Sequence, residues 1–81
     1  MTEGILEINV HGMTKLQAQT AIDARLRHCP GSVYRLRIIH GYHGGTVIRD
    51  MVRTRYAGKG RVLRMELGLN PGETDLILRE L

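Results

Sequence analysis

Tryptophan and phenylalanine are absent from this chain, and its aromatic content rests on Tyr34, Tyr42 and Tyr56 alone. Any core must therefore be aliphatic, built from Ile, Leu, Val and Met. At 81 residues it is a small core that a single domain can supply, and dimerisation would add to it. Cys29 is the only cysteine, which excludes an internal disulfide framework and a cysteine-rich zinc site. An unpaired thiol fits a reducing compartment, and Glu3 stands where a secretory leader would carry basic residues, so the cytoplasm is the expected location. No apolar run approaches the roughly 18–20 residues needed to cross a bilayer. Ser32 is the sole serine and follows a Pro-Gly turn, a poor setting for a serine nucleophile.

What the chain does have is arginine: ten, against two lysines. The formal charge of +4 is unevenly spread. Arg49, Arg53, Arg55, Lys59, Arg61 and Arg64 face only Asp50 between residues 49 and 64, whereas the last stretch sets Arg79 against Glu66, Glu73, Asp75 and Glu80. The middle of the chain is where a polyanion would be drawn. A solvated helix face with ordinary surface arginines accounts for the same pattern.

Hydrophobic spacing gives the element order. Leu6, Ile8 and Val10 alternate with Glu7 and Asn9, the mark of a half-buried strand over Ile5 to Val10. Thr14 followed by Gln17 forms a capping-box signature, and Ala18, Ala21, Ile22 and Leu26 continue at helical spacing until Pro30-Gly31. Val33 to Ile39 reads as a second strand, with Tyr34, Leu36, Ile38 and His40 on one face and Arg35 and Arg37 on the other. A glycine-rich turn precedes a second helix, Val47 to Ala57, closed by Gly58. Arg61 to Leu67 and Leu76 to Leu81 are the expected third and fourth strands, separated by the turn Asn70-Pro71-Gly72. The order β-α-β-α-β-β predicts an α/β fold in which two helices cover one sheet face and leave the other partly open. Residues 1–81 form one domain, with no internal repeat or linker.

Ligands of open α/β sheets gather beyond the carboxyl ends of the strands. There the first strand delivers His11-Gly12 and the second His40-Gly41, with Asn9 two residues before His11 and His43 three after His40. Gly41, Gly44 and Gly45 permit close backbone approach, and two helix N-termini offer free N–H groups suited to phosphate oxygens. Histidines near neutrality can bond a phosphate or move protons during phosphodiester cleavage. Arg35, Arg37, Arg49, Arg53 and Tyr42 would flank such an anion site, arginine being suited to bidentate phosphate contacts and stacking. Each residue also has a structural reading: His11 closing its turn on a carbonyl, His40 a satisfied core histidine, the glycines only reversing the chain. A zinc set of His11, His40 and His43 lacks close ligand spacing and a carboxylate, and no metal site is expected from it.

Ile8 to Ala18, with its Asn9-Val10-His11-Gly12 core and Thr14, resembles the first motif of the Smr (small MutS-related) domain family, Leu-Asp-x-His-Gly followed by five residues and Ala. His40-Gly41 through Gly45 and Ile48-Arg49 resembles the second motif, His-Gly-x-Gly-x-Gly before a helix, and Asn70-Pro71-Gly72-Glu73-Thr74 is similar to the closing Asn-x-Gly-x-Thr segment. The resemblance implies a two-layer α/β sandwich like the C-terminal domain of translation initiation factor 3, and a domain that binds DNA or RNA, several members also nicking or cleaving it. His11, His40, His43 and Asn9 would then be the catalytic candidates. Two departures bear on this. Asn9 replaces the family's acidic residue, which weakens the case for an endonuclease and for any divalent metal, the one cofactor cleavage would call on. Tyr42-His43 replaces a basic residue and glycine. A protein-interaction adaptor and a domain for a small anionic ligand remain the alternatives.

Overall fold

The structure is a computed structural model in which residues 4–41, 46–68 and 70–80 are described. Six elements follow in the order β1 (Ile5–Asn9), α1 (Lys15–Arg27), β2 (Arg35–Ile39), α2 (Val47–Arg55), β3 (Arg64–Glu66) and β4 (Glu73–Ile77). They form a four-stranded sheet in the order β1-β2-β4-β3 beneath two helices. β1 and β2 run parallel from Ile5↔Arg35 to Asn9↔Ile39, so their carboxyl ends stop side by side.

The local reasons are in the sequence. Gln17 N–H donates to Thr14 Oγ1 at 3.1 Å and Thr14 N–H donates to Gln17 Oε1 at 3.0 Å, completing the capping box that starts α1. Ala18 and Ile22, one turn apart, bury against Val10, Leu36 and Ile38. The far end of α1 is closed by Arg61, whose guanidinium donates to the carbonyls of Leu26 and Cys29. α2 buries Met51 and Val52, and Gly58, just past its end, takes the left-handed φ of +67° that lets the chain turn back.

The two helices are also tied by polar bonds. Tyr56 Oη donates to Asp23 Oδ1 at 2.5 Å, and Arg55 bonds the other carboxylate oxygen at 2.9 Å. Burial and the neighbouring Asp23 push the Tyr56 hydroxyl up to about 12. Removing that hydroxyl in Tyr56→Phe should cost about 1–2 kcal/mol, since the lost bond goes to a charged acceptor that water partly reaches. Urea unfolding checks this.

The final strand is not at Leu76 to Leu81 but at Glu73–Ile77. It inserts between β2 and β3, antiparallel to both. A central strand is buried on both sides, so Thr74 and Leu76 lie under the helices while Asp75 and Ile77 are enclosed on the opposite face. The segment Glu-Thr-Asp has low strand propensity, and tertiary pairing overrides it. β3 is also shorter than expected, and Leu63 and Leu67 on either side of it remain exposed.

Candidate functional site

The parallel pairing of β1 and β2 brings their two His-Gly turns together. The His11 ring lies directly on Gly41: a Cβ built at Gly41 would collide with His11 Cδ2 and fall 3.2 Å from Nε2. Gly41 also has φ +75°, a region that L side chains rarely occupy. Below it, Gly72 O accepts from both His40 N–H and Gly41 N–H at 2.9 Å, and Asn70 Oδ1 accepts from Gly72 N–H at 2.8 Å. Asn9 Oδ1 accepts the His11 backbone N–H at 2.9 Å, an Asx turn that leaves the imidazole exposed. An aspartate would accept the same bond, so the change to Asn9 keeps the turn and removes only charge.

His40 is different. It is 5% exposed, and both ring nitrogens are used inside the protein. Nδ1 lies 2.7 Å from Gly41 O, which can only accept, so Nδ1 carries the proton and donates. Nε2 then accepts from the Thr74 hydroxyl at 2.9 Å, and Thr74 Oγ1 in turn accepts from Arg53 Nε at 3.3 Å. The result is a directed chain from Arg53 through Thr74 and His40 to the Gly41 carbonyl. Burial holds the imidazole below its ordinary value, the carbonyl bond opposes this, and Arg53 and Arg49 push it further down.

That depression makes stability pH-dependent. The unfolded chain takes up a proton near 6.5 while folded His40 resists it, so the contribution is complete above 6.5 and declines as pH falls below it. The thermal midpoint should drop through that range, and His40→Gln, which cannot titrate, should flatten part of the slope.

The arginines divide into two groups. Arg53 and Arg49 stand on α2 over the His40 end, and Arg53 forms no ion pair among the described residues. Arg49 contacts Asp50 at 3.2 Å. Arg35 and Arg37 point to the other side of the sheet, away from the histidines. Arg35 donates to Asp75 Oδ2 at 2.6 Å and to Glu66 Oε1 at 2.8 Å. Arg37 grips Asp75 with Nε at 3.1 Å and NH2 at 3.2 Å. Tyr42, His43, Gly44 and Gly45 lie outside the described residues. Among those described, no three His, Cys, Asp or Glu side chains come together as a metal site would need, and no helix is long and apolar enough to cross a membrane.

Gly72 and Thr74 hold the floor of the site, a role that composition and spacing do not show, although both belong to the Asn-x-Gly-x-Thr segment. His40 is a second signal, since a histidine in a buried register needs a polar partner.

A two-layer α/β sandwich with two His-Gly turns meeting at the ends of its parallel strands defines the class. The chain belongs to the Smr domain family, whose model matches residues 8–72. A crystal structure of the Smr domain of Thermus thermophilus MutS2 superposes with a TM-score of 0.81 at 24% identity, over 93% of this chain and 99% of that one. At that identity the likeness establishes the fold. No curated protein matches the chain by sequence.

Proposed function

We propose that this Smr domain is a cytoplasmic module that binds DNA or RNA and receives a backbone phosphate where His11 meets Gly41. The observation that carries the reading is the His11 ring seated on Gly41, with the Arg53 guanidinium, which forms no ion pair among the described residues, held at the adjoining His40 through Thr74. The α1 and α2 N-termini open at the same end and add backbone N–H groups and partial positive charge. Arg53 supplies a full charge, Arg49 one that it shares with the exposed Asp50, and His11 supplies an exposed ring able to bond an oxygen. Arg35 and Arg37 take no part, because Asp75, Glu66 and Glu73 already neutralise them.

Strand cleavage is a second reading, favoured by one observation, the exposed His11 ring. His40 is poorly placed to exchange a proton with a ligand, since Thr74 occupies its Nε2. No described ligand set fits a catalytic metal. If the strand is cut, His11 is the proton carrier.

Binding is tested by affinity for single- and double-stranded DNA and RNA across a salt series. Affinity that falls steeply with salt, and falls about 10-fold in Arg53→Gln, supports the phosphate site. No affinity for any nucleic acid at low salt would defeat it and leave the adaptor or small-anion alternatives. Cleavage is tested separately: nicking of supercoiled plasmid or structured RNA that His11→Ala lacks supports it, and intact substrates rule it out.

A further inference from the structure

We infer that the trough between α1 and α2, rather than the open sheet face, is the track along which a bound nucleic-acid strand lies. The inference rests on the proposed phosphate site, from which the trough begins. Both helices start at the carboxyl ends of β1 and β2 and run back over the sheet, so Lys15 and Val47 line the near end and Arg27 and Lys59 the far end. At about 1160 Å³ the trough exceeds the roughly 300–1,000 Å³ usual for small-molecule sites, and it is open to solvent rather than enclosed. An elongated ligand fits that shape.

Charge selects the ligand. Lys15, Arg27, Arg55, Lys59 and Arg61 line the trough. Asp23 takes up the charge of Arg55 and also binds Tyr56, while Asp50 is bonded by Thr46 and by Arg49 from outside the trough, so Lys15, Arg27, Lys59 and Arg61 remain in excess. Arg61 spends N–H groups on the carbonyls of Leu26 and Cys29 and faces no carboxylate among the described residues. The opposite side of the molecule carries the reverse balance. There Arg35, Arg37 and Arg64 are outnumbered by Glu7, Glu66, Glu73, Asp75 and Glu80. A polyanion is attracted to the helical layer and repelled from the sheet.

α1 has 13 residues, about 20 Å at 1.5 Å per residue, which is room for several consecutive phosphates. The affinity of single-stranded oligonucleotides should therefore rise with length up to roughly six nucleotides, at about 3.4 Å each, and then level off.

The test compares salt-titrated oligonucleotide affinity of the whole chain with three variants. Lys15, Arg27 and Lys59 are exposed and hold no buried partner, so the triple change Lys15→Gln, Arg27→Gln, Lys59→Gln leaves the fold intact. It should weaken binding about 10-fold or more and reduce the salt slope by about 2–3. Arg64→Gln, on the sheet side, should leave affinity unchanged. Arg53→Gln reports on the phosphate site alone. Lost binding in Arg53→Gln with full binding and an unchanged slope in the triple variant would overturn the track while sparing the phosphate site. Lost binding in Arg64→Gln alone would also overturn it, in favour of the sheet.

Discussion

Replacing Asp75 with alanine should lower the unfolding free energy by about 3 kcal/mol, a large fraction of the roughly 4–12 kcal/mol expected for a domain of this size. Asp75 is buried, and its two oxygens accept three hydrogen bonds from Arg35 and Arg37. Removing it leaves Arg35 with Glu66 alone and Arg37 with only the looser contacts to Glu7 and Glu73 at 3.8 Å, over a sheet face that encloses Ile77. Both arginine side chains keep some access to water, at 23% and 30%, so the loss belongs at the low end of that for a broken buried pair. Asp75→Asn keeps the size and part of the bonding and should cost less. Denaturant unfolding of the two variants measures the difference. Near-equal stability of Asp75→Ala and the natural chain would mean that the arginines simply turn out to solvent.

Gly41→Ala should separate stability from function. A left-handed φ at a residue with a side chain costs about 1–2 kcal/mol. The new methyl also enters the space of the His11 ring, which must swing away. Because His11 is exposed, that movement costs little in folding, but it dismantles the place where the phosphate is received. The expected result is a folded protein, destabilised by about 1–2 kcal/mol, with nucleic-acid affinity reduced at least about 10-fold. Circular dichroism and the binding series measure the two quantities on the same sample. Gly72→Ala is a useful companion: its Cβ would lie 3.3 Å from Gly41 Cα, so it presses on the same turn from below.

Much of this architecture is written in short-range pattern. The Thr14–Gln17 box, the alternation in β1 and β2, and the helical spacing of Ala18 and Ile22 depend on neighbours within one turn or one pleat, and each forms as the sequence predicts. The meeting of His11 and Gly41 is legible too, because parallel neighbouring strands bring both motifs to one end. What escapes is set by distant partners. Arg35 and Arg37 read as a basic surface until Asp75, forty residues beyond Arg35, is placed between them by the insertion of β4. The polar sequence Glu73-Thr74-Asp75 hides a central strand for the same reason: Glu73 and Asp75 are met by arginines of β2, and Thr74 by His40 and by Arg53 of α2. His40 shows both sides. Its buried register is legible, whereas the Thr74 and Arg53 bonds that fix its tautomer are not.

The account stands on a phosphate meeting the His11–Gly41 junction on the helical side of the molecule. Amide chemical-shift mapping during titration with a short oligonucleotide tests this residue by residue. The largest changes are expected at His11, Gly12, Gly41 and the first turns of α1 and α2, with those at Arg35, Arg37, Glu66 and Asp75 remaining small. Changes concentrated on the sheet residues, with the two His-Gly turns silent, would contradict it.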